Sequence, residues 1–216
     1  LLLEGHLATP YVFNYFGEGQ NSENERGIDY YRIPVFSGAV KAAYQYRLSR
    51  RLSLSLFGEY SAFDVRPMND EESILDEFPD DLFYSTDATE FLSTGIDLSL
   101  RLVDREVNPE KGFDIQGGLK WTREISSGSA NYWNSFGSLS LFVTPNLPVR
   151  TTFAIRVGFA SNSGDYYFYQ SNFLDGLSNL RGYRRTRFAG ESVFYMNNEI
   201  RFNLLPFRNE LIHGTI

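Results

Sequence analysis

At 216 residues, 42% hydrophobic and 16% aromatic, the chain is long enough for one large all-β domain, and its 14 Tyr and 19 Phe favour pleated, half-buried surfaces. A net charge of -7 argues against nucleic acid as a partner, and the lack of cysteine excludes a disulfide framework or a thiolate metal site. No apolar run reaches the roughly 18 residues of a transmembrane helix, but a transmembrane β-barrel leaves no such signal, because its strands are apolar on one face only.

The opening Leu1-Leu2-Leu3-Glu4-Gly5 carries no basic stretch and is too short for a signal peptide. From there a repeat of two residues recurs along the chain, the mark of a two-faced strand. It sets Val40, Ala42, Tyr44, Tyr46 and Leu48 against Lys41, Gln45 and Arg47, then Leu52, Leu54 and Leu56 against Ser53, Ser55 and Glu59. Ile96, Leu98, Leu100 and Leu102 oppose Asp97, Ser99 and Arg101, and Phe113, Ile115, Leu119 and Trp121 oppose Asp114, Gln116 and Lys120. Phe153, Ile155 and Val157 oppose Thr152 and Arg156; Phe194, Met196, Ile200 and Phe202 oppose Tyr195, Asn197, Glu199 and Arg201. The pattern predicts strands at 5–16, 35–48, 52–64, 90–104, 111–124, 132–144, 149–161 and 192–204, and a last one beginning near 210, with no helix.

Links after the second, fourth, sixth and eighth strands are short, whereas 17–34, 65–89 and 162–191 are long. In an up-and-down antiparallel sheet all the short turns then fall at one end, the asymmetry of outer-membrane barrels. A soluble sandwich or lipocalin-like barrel is the alternative. Strands of about ten residues suit a tilted bilayer crossing, and the charge on the polar face suits a wet lumen better than a dry core. The expected fold is therefore an antiparallel transmembrane β-barrel. Closed bacterial barrels have even strand numbers and an open edge cannot sit in lipid, so the nine strands of residues 1–216 are expected to be a segment incomplete at both ends.

Residues 162–191 form the longest link and carry Arg181, Arg184, Arg185 and Arg187 together with Tyr166, Tyr167, Phe168, Tyr169 and Phe173. An external loop with solvated or lipid-phosphate-bound arginines is one reading. The other is a loop folded into the lumen, where its apolar side chains are buried and its guanidinium forks meet inward carboxylates. The two histidines, His6 and His213, lie too far apart in sequence for a metal motif. The acidic run 69–81 lacks calcium-loop spacing and is expected to be solvated. No nucleophile or phosphate-loop motif occurs, so neither catalysis nor a cofactor is expected.

The stretch Leu180-Arg181-Gly182-Tyr183 resembles the (V/I/L)-R-G-(F/Y) motif in the sixth external loop of the BamA/TamA superfamily, in a form most like Bacteroidetes-type members. Asn108-Pro109, followed by Lys111-Gly112-Phe113, is similar to that family's N-P-x-(R/K)-G-(F/Y/W) turn. The resemblance implies a sixteen-stranded outer-membrane barrel of a Gram-negative bacterium, preceded by periplasmic domains, that inserts or translocates other proteins and catalyses no bond chemistry. Its implied partners are outer-membrane lipid and lipopolysaccharide, unfolded outer-membrane clients and accessory lipoproteins. The loop would tuck into the lumen, with Arg181 bonding an acidic wall residue, Gly182 making the turn and Tyr183 packing inside. Glu199 and Asp175 are the local acidic candidates, and Glu199 has Arg201 as a competing partner. Arg150 is expected to matter less than Arg181. A barrel anchoring or exporting an upstream enzyme domain, or a two-partner-secretion exporter, is the alternative function.

Overall fold

The computed structural model describes residues 2–7, 11–19, 25–66, 74, 87–126, 130–174 and 179–202. Its strands are β1 (Leu2–Leu7), β2 (Tyr11–Asn14), β3 (Arg32–Arg47), β4 (Leu52–Val65), β5 (Thr89–Val103), β6 (Gly112–Glu124), β7 (Asn131–Val143), β8 (Thr151–Asp165), β9 (Asn172–Leu174), β10 (Phe188–Gly190) and β11 (Ser192–Phe202). Nine of them form one sheet in the order β1-β3-β4-β5-β6-β7-β8-β11, with β2 also on β3; β9 and β10 pair as a separate ribbon. Every pairing is antiparallel and joins strands consecutive along the main path, as an up-and-down meander requires. Short 3₁₀ turns stand at Ile28–Tyr31 and Phe168–Gln170.

Three differences from the sequence pattern are physical. The first expected strand is two pieces, β1 and β2, laid in turn along β3 at residues 38–43 and 32–35. Strand β8 runs on to Asp165, because β7 still offers partners as far as Asn131, so the long link begins four residues later than expected. That link also contains structure of its own in β9 and β10. The strand expected near 210, the acidic run 69–81 (apart from Ile74) and Asp175 lie outside the described residues.

The two faces differ as the alternation predicts. Leu56, Leu92, Leu98, Leu139, Phe194, Met196 and Phe202 stand exposed on one face. An apolar area of this extent is not stable against water, where patches beyond a few hundred Å² mark an interface; a bilayer accommodates it. Trp121 and Trp133, the only tryptophans in the chain, are a direct cross-strand pair near the long-loop end of this face. There the Trp121 indole N–H donates to Asn131 Oδ1 at 2.8 Å, so the ring has an apolar body and a hydrogen-bonded tip, the chemistry of a membrane-interface belt.

On the polar face the core sits at the long-loop end. Phe13, Tyr15, Ile33, Val35 and Phe91 are buried there with Tyr167, Phe168 and Tyr169 of the long link. Below this cluster the face is charged, with Lys41 directly opposite Glu59. Four glycines face an aromatic ring on the neighbouring strand: Gly95 and Phe57, Gly118 and Phe136, Gly137 and Phe159, Gly158 and Tyr195. Ring atoms lie 2.4 to 2.6 Å from where a Cβ would stand on these glycines, so only the missing side chain lets each ring lie flat across the strand.

Candidate functional site: the long loop and the short turns it meets

The segment after β8 is fixed first by buried polar groups. Asn134 Nδ2 donates to Asn162 Oδ1 at 2.7 Å and to Asn172 Oδ1 at 3.1 Å. Asn162 Nδ2 in turn donates to Gln170 O at 2.9 Å, and Asn172 Nδ2 to Glu191 O at 2.7 Å. Glu124, only 1% exposed, accepts hydrogen bonds from the Tyr167 hydroxyl at 2.9 Å, the Ala130 N–H at 3.1 Å and the Ser126 hydroxyl at 2.8 Å. A buried carboxylate is tolerated because these donors replace its water. Tyr169 stacks on Tyr167 with ring centroids 5.4 Å apart and shares a 2.8 Å hydrogen bond with Thr89 Oγ1. Burial pushes the Tyr169 hydroxyl well above its ordinary range, since the phenolate would be poorly solvated there.

The same segment then crosses to the start of the sheet. Thr186 Oγ1 donates to Asn14 O at 2.6 Å, Ala189 O accepts from Gly19 N–H at 2.8 Å, and the Arg187 guanidinium lies 5.0 Å from the centre of the Phe16 ring. Thr186 holds φ at 53°, a costly value for a β-branched residue.

Leu180 to Tyr183 form a tight turn closed by Tyr183 N–H to Leu180 O at 3.4 Å, with Gly182 at φ 92°. Tyr183 is 54% exposed and lies against Phe188 at 5.5 Å between centroids. Arg181 Nη2 lies 3.2 Å from Glu199 Oε1. The other carboxylate oxygen of Glu199 accepts from Arg201 Nη2 at 3.0 Å and Nε at 3.2 Å, so Glu199 serves both arginines. An open cavity of about 480 Å³ separates the turn from β8 and β11, lined among others by Arg156, Asn179, Arg181, Asn197 and Glu199.

The Asn108–Phe113 turn lies at the opposite end of the sheet from the aromatic core, between β5 and β6. Asn108 adopts φ 51° and Gly112 φ 111°; a Cβ on Gly112 would stand 1.9 Å from Leu102 O, so no other residue fits. Asp104 Oδ1 accepts the N–H groups of Glu110 and Lys111 at 2.9 and 3.0 Å. The Lys111 and Glu110 amides hold its carboxyl below the ordinary carboxylate range. Glu110, in the variable position of the motif, is buried and bonds Arg105 at 3.2 Å and Arg150 through both Nε, at 3.1 Å, and Nη2. Arg150 neutralises this buried carboxylate, and it stands in the short turn before β8 rather than on the strand as expected. Arg201 Nη1 reaches the same turn, 3.0 Å from Asn108 Oδ1 and 3.4 Å from Pro109 O.

The sequence pointed to both motifs and to Glu199. It did not point to Glu124 or the asparagine cluster, which alternation does not distinguish from solvated positions, nor to Glu110, which sits in a turn where alternation gives no signal. An Asn–Pro step signals a turn, but nothing local signals that Arg201 would find it.

A two-faced antiparallel sheet, apolar outside, charged inside and crossed on its polar face by a long loop, is a segment of a transmembrane β-barrel. The sequence matches the Omp85 superfamily domain over residues 7–211. The chain belongs to the Omp85 superfamily, and its sheet is part of an outer-membrane barrel of that family. Among solved structures it is similar to BamA from Haemophilus ducreyi lacking POTRA domains 1-3, with a TM-score of 0.59 and 14% sequence identity. The match covers 72% of this chain and 31% of that one, so the chain spans under a third of the length of the structure it matches. No curated protein matches the sequence.

Proposed function

We propose that this chain is wall and lumen loop of a barrel that inserts or translocates other proteins at the outer membrane of a Gram-negative bacterium. The polar face is the lumen, the long links are external and the short turns periplasmic, as the loop asymmetry of such barrels dictates. The long link after Asp165 folds back along the lumen and Arg181 braces it against the wall through Glu199. The contact of Arg181 with Glu199 at 3.2 Å carries this reading, because it joins the motif turn to an inward carboxylate of β11. Partners in this reading are the surrounding outer-membrane lipid and lipopolysaccharide, unfolded outer-membrane clients and accessory lipoproteins. No bond is made or broken; the work is the accommodation of a client strand by β-pairing.

The test uses the full-length protein in liposomes and follows the folding rate of an added unfolded outer-membrane barrel protein. Native protein should accelerate it, and Arg181→Ala should remove most of the acceleration. A full-length protein that gives no acceleration but shows hydrolase activity from an upstream domain would replace this reading with that of an anchor or export pore.

A further inference from the structure

Two motifs some seventy residues apart converge on one pair of side chains. Arg201 stands near the end of β11, which is separated from β6 in the sheet by β7 and β8. Its Nη1 nevertheless bonds Asn108 and Pro109 of the β5–β6 turn, which therefore curls inward beneath the ends of two intervening strands. Three further contacts hold it there: Thr144 Oγ1 donates to Glu110 O at 2.9 Å, and Arg150 and Arg105 pair with Glu110. The remaining donors of Arg201, Nε and Nη2, both go to Glu199, whose other oxygen meets Arg181. A planar guanidinium offers its donors in a fixed fork, so Arg201 cannot follow a displaced turn without turning its other edge away from Glu199.

We propose that Arg201 couples the periplasmic turn to the lumen loop, so that displacement of the Asn108–Pro109 segment loosens the seat of Arg181. The chain of contacts runs Asn108, Arg201, Glu199, Arg181, and each is a hydrogen bond or ion pair to a charged group. Arg201 and Asn108 are positioning residues here; neither touches a client. The inference rests on the reading of the polar face as lumen. It concerns the loop's position rather than activity, so the two can fail separately.

Asn108 allows a clean perturbation. Its φ of 51° suits glycine, so Asn108→Gly removes the acceptor without straining the turn, and Asn108→Asp keeps it. This chain has no cysteine, so R184C in the exposed loop tip gives a single label site within it. The experiment is modification of R184C in the full-length protein, in liposomes, by a polymer-linked maleimide too large to enter a barrel.

Asn108→Gly should raise the rate about threefold, the size expected for a partly exposed charged contact, and Asn108→Asp should restore the native rate. Glu199→Gln should raise it similarly, and Asn108→Gly should add nothing in that background, because the path is already cut. Arg201→Lys, which keeps the charge but not the fork, should match Asn108→Gly and serves if the glycine variant fails to fold. An Asn108→Gly rate equal to native, or effects of Asn108→Gly and Glu199→Gln that multiply, would overturn the coupling even if Arg181→Ala abolishes client folding.

Discussion

Glu124 offers the most quantitative test of what holds the loop on the wall. Replacing it with alanine leaves the Tyr167 hydroxyl and the Ala130 N–H without the acceptor they use, both in buried surroundings. Ser126 is exposed and can turn to water. Each stranded buried donor costs about 1–3 kcal/mol, so the loss is about 3 kcal/mol, concentrated in the Tyr167–Tyr169 segment. Because β5 and β6 keep their ladder, the loss should appear as local opening rather than barrel unfolding. Amide hydrogen exchange reads this directly: the Gln170 and Ser171 amides, which bond Tyr167 O and Phe168 O, should exchange roughly 100-fold faster, at about 1.4 kcal/mol per factor of ten. Amides of the β5–β6 ladder should not change. Glu124→Gln retains an acceptor but not its charge and should give about a tenfold effect. Unchanged protection at Gln170 and Ser171 in the alanine variant would refute the argument and leave aromatic packing as the loop's anchor.

Gly112→Ala should cost at least about 3 kcal/mol, since positive φ and a backbone clash combine, and should lower the folded fraction on heat-modifiable gel mobility; Gly182→Ala, with open space around it but φ at 92°, should lower that fraction less, by the roughly 1 kcal/mol of the positive φ alone. Arg181→Ala should change barrel stability by no more than about 1 kcal/mol, because its side chain is 88% exposed and Glu199 keeps Arg201. A large loss of client folding with an unchanged melting profile would then be functional, whereas a matching fall in melting would contradict this account. Asp104 has its folded-state pKa depressed, so its contribution is present above its unfolded pKa and is lost as the pH falls through the folded value. Asp104→Asn should therefore lower the melting temperature at neutral pH and flatten the acid limb of a melting-versus-pH curve below about pH 4, where native and variant converge; an acid limb identical to native would exclude the turn amides as its cause.

The strands were legible because one face meets lipid and the other does not, so Leu92, Ile96 and Leu98 alternate cleanly with Ser93, Asp97 and Ser99. The break between β1 and β2 was not, since both halves carry apolar residues and both pair with β3. The Arg181 turn was legible through its glycine and its arginine. Its partner was legible only as the nearest inward carboxylate. The burial of Glu124 and Glu110 depends on chain segments 43 and 40 residues away, Tyr167 and Arg150, and no local pattern encodes such a meeting. The alternation assigns a side chain to the polar face without saying whether water or protein will cover it.

The glycines facing aromatic rings bear on how much room the loop has. Gly95, Gly118 and Gly158 lie on the polar face, where Phe57, Phe136 and Tyr195 rest flat along the wall instead of projecting inward. The inner surface is thus thinned at three places, and one of them, the Tyr195 position, is next to the Asn197 and Glu199 wall of the cavity beside Arg181. A methyl group at Gly158 would stand a tyrosine upright into that space. Bore width and loop sequence are consequently one packing problem: related barrels that fill a glycine opposite a ring should carry a smaller partner across from it or a slimmer loop in front of it.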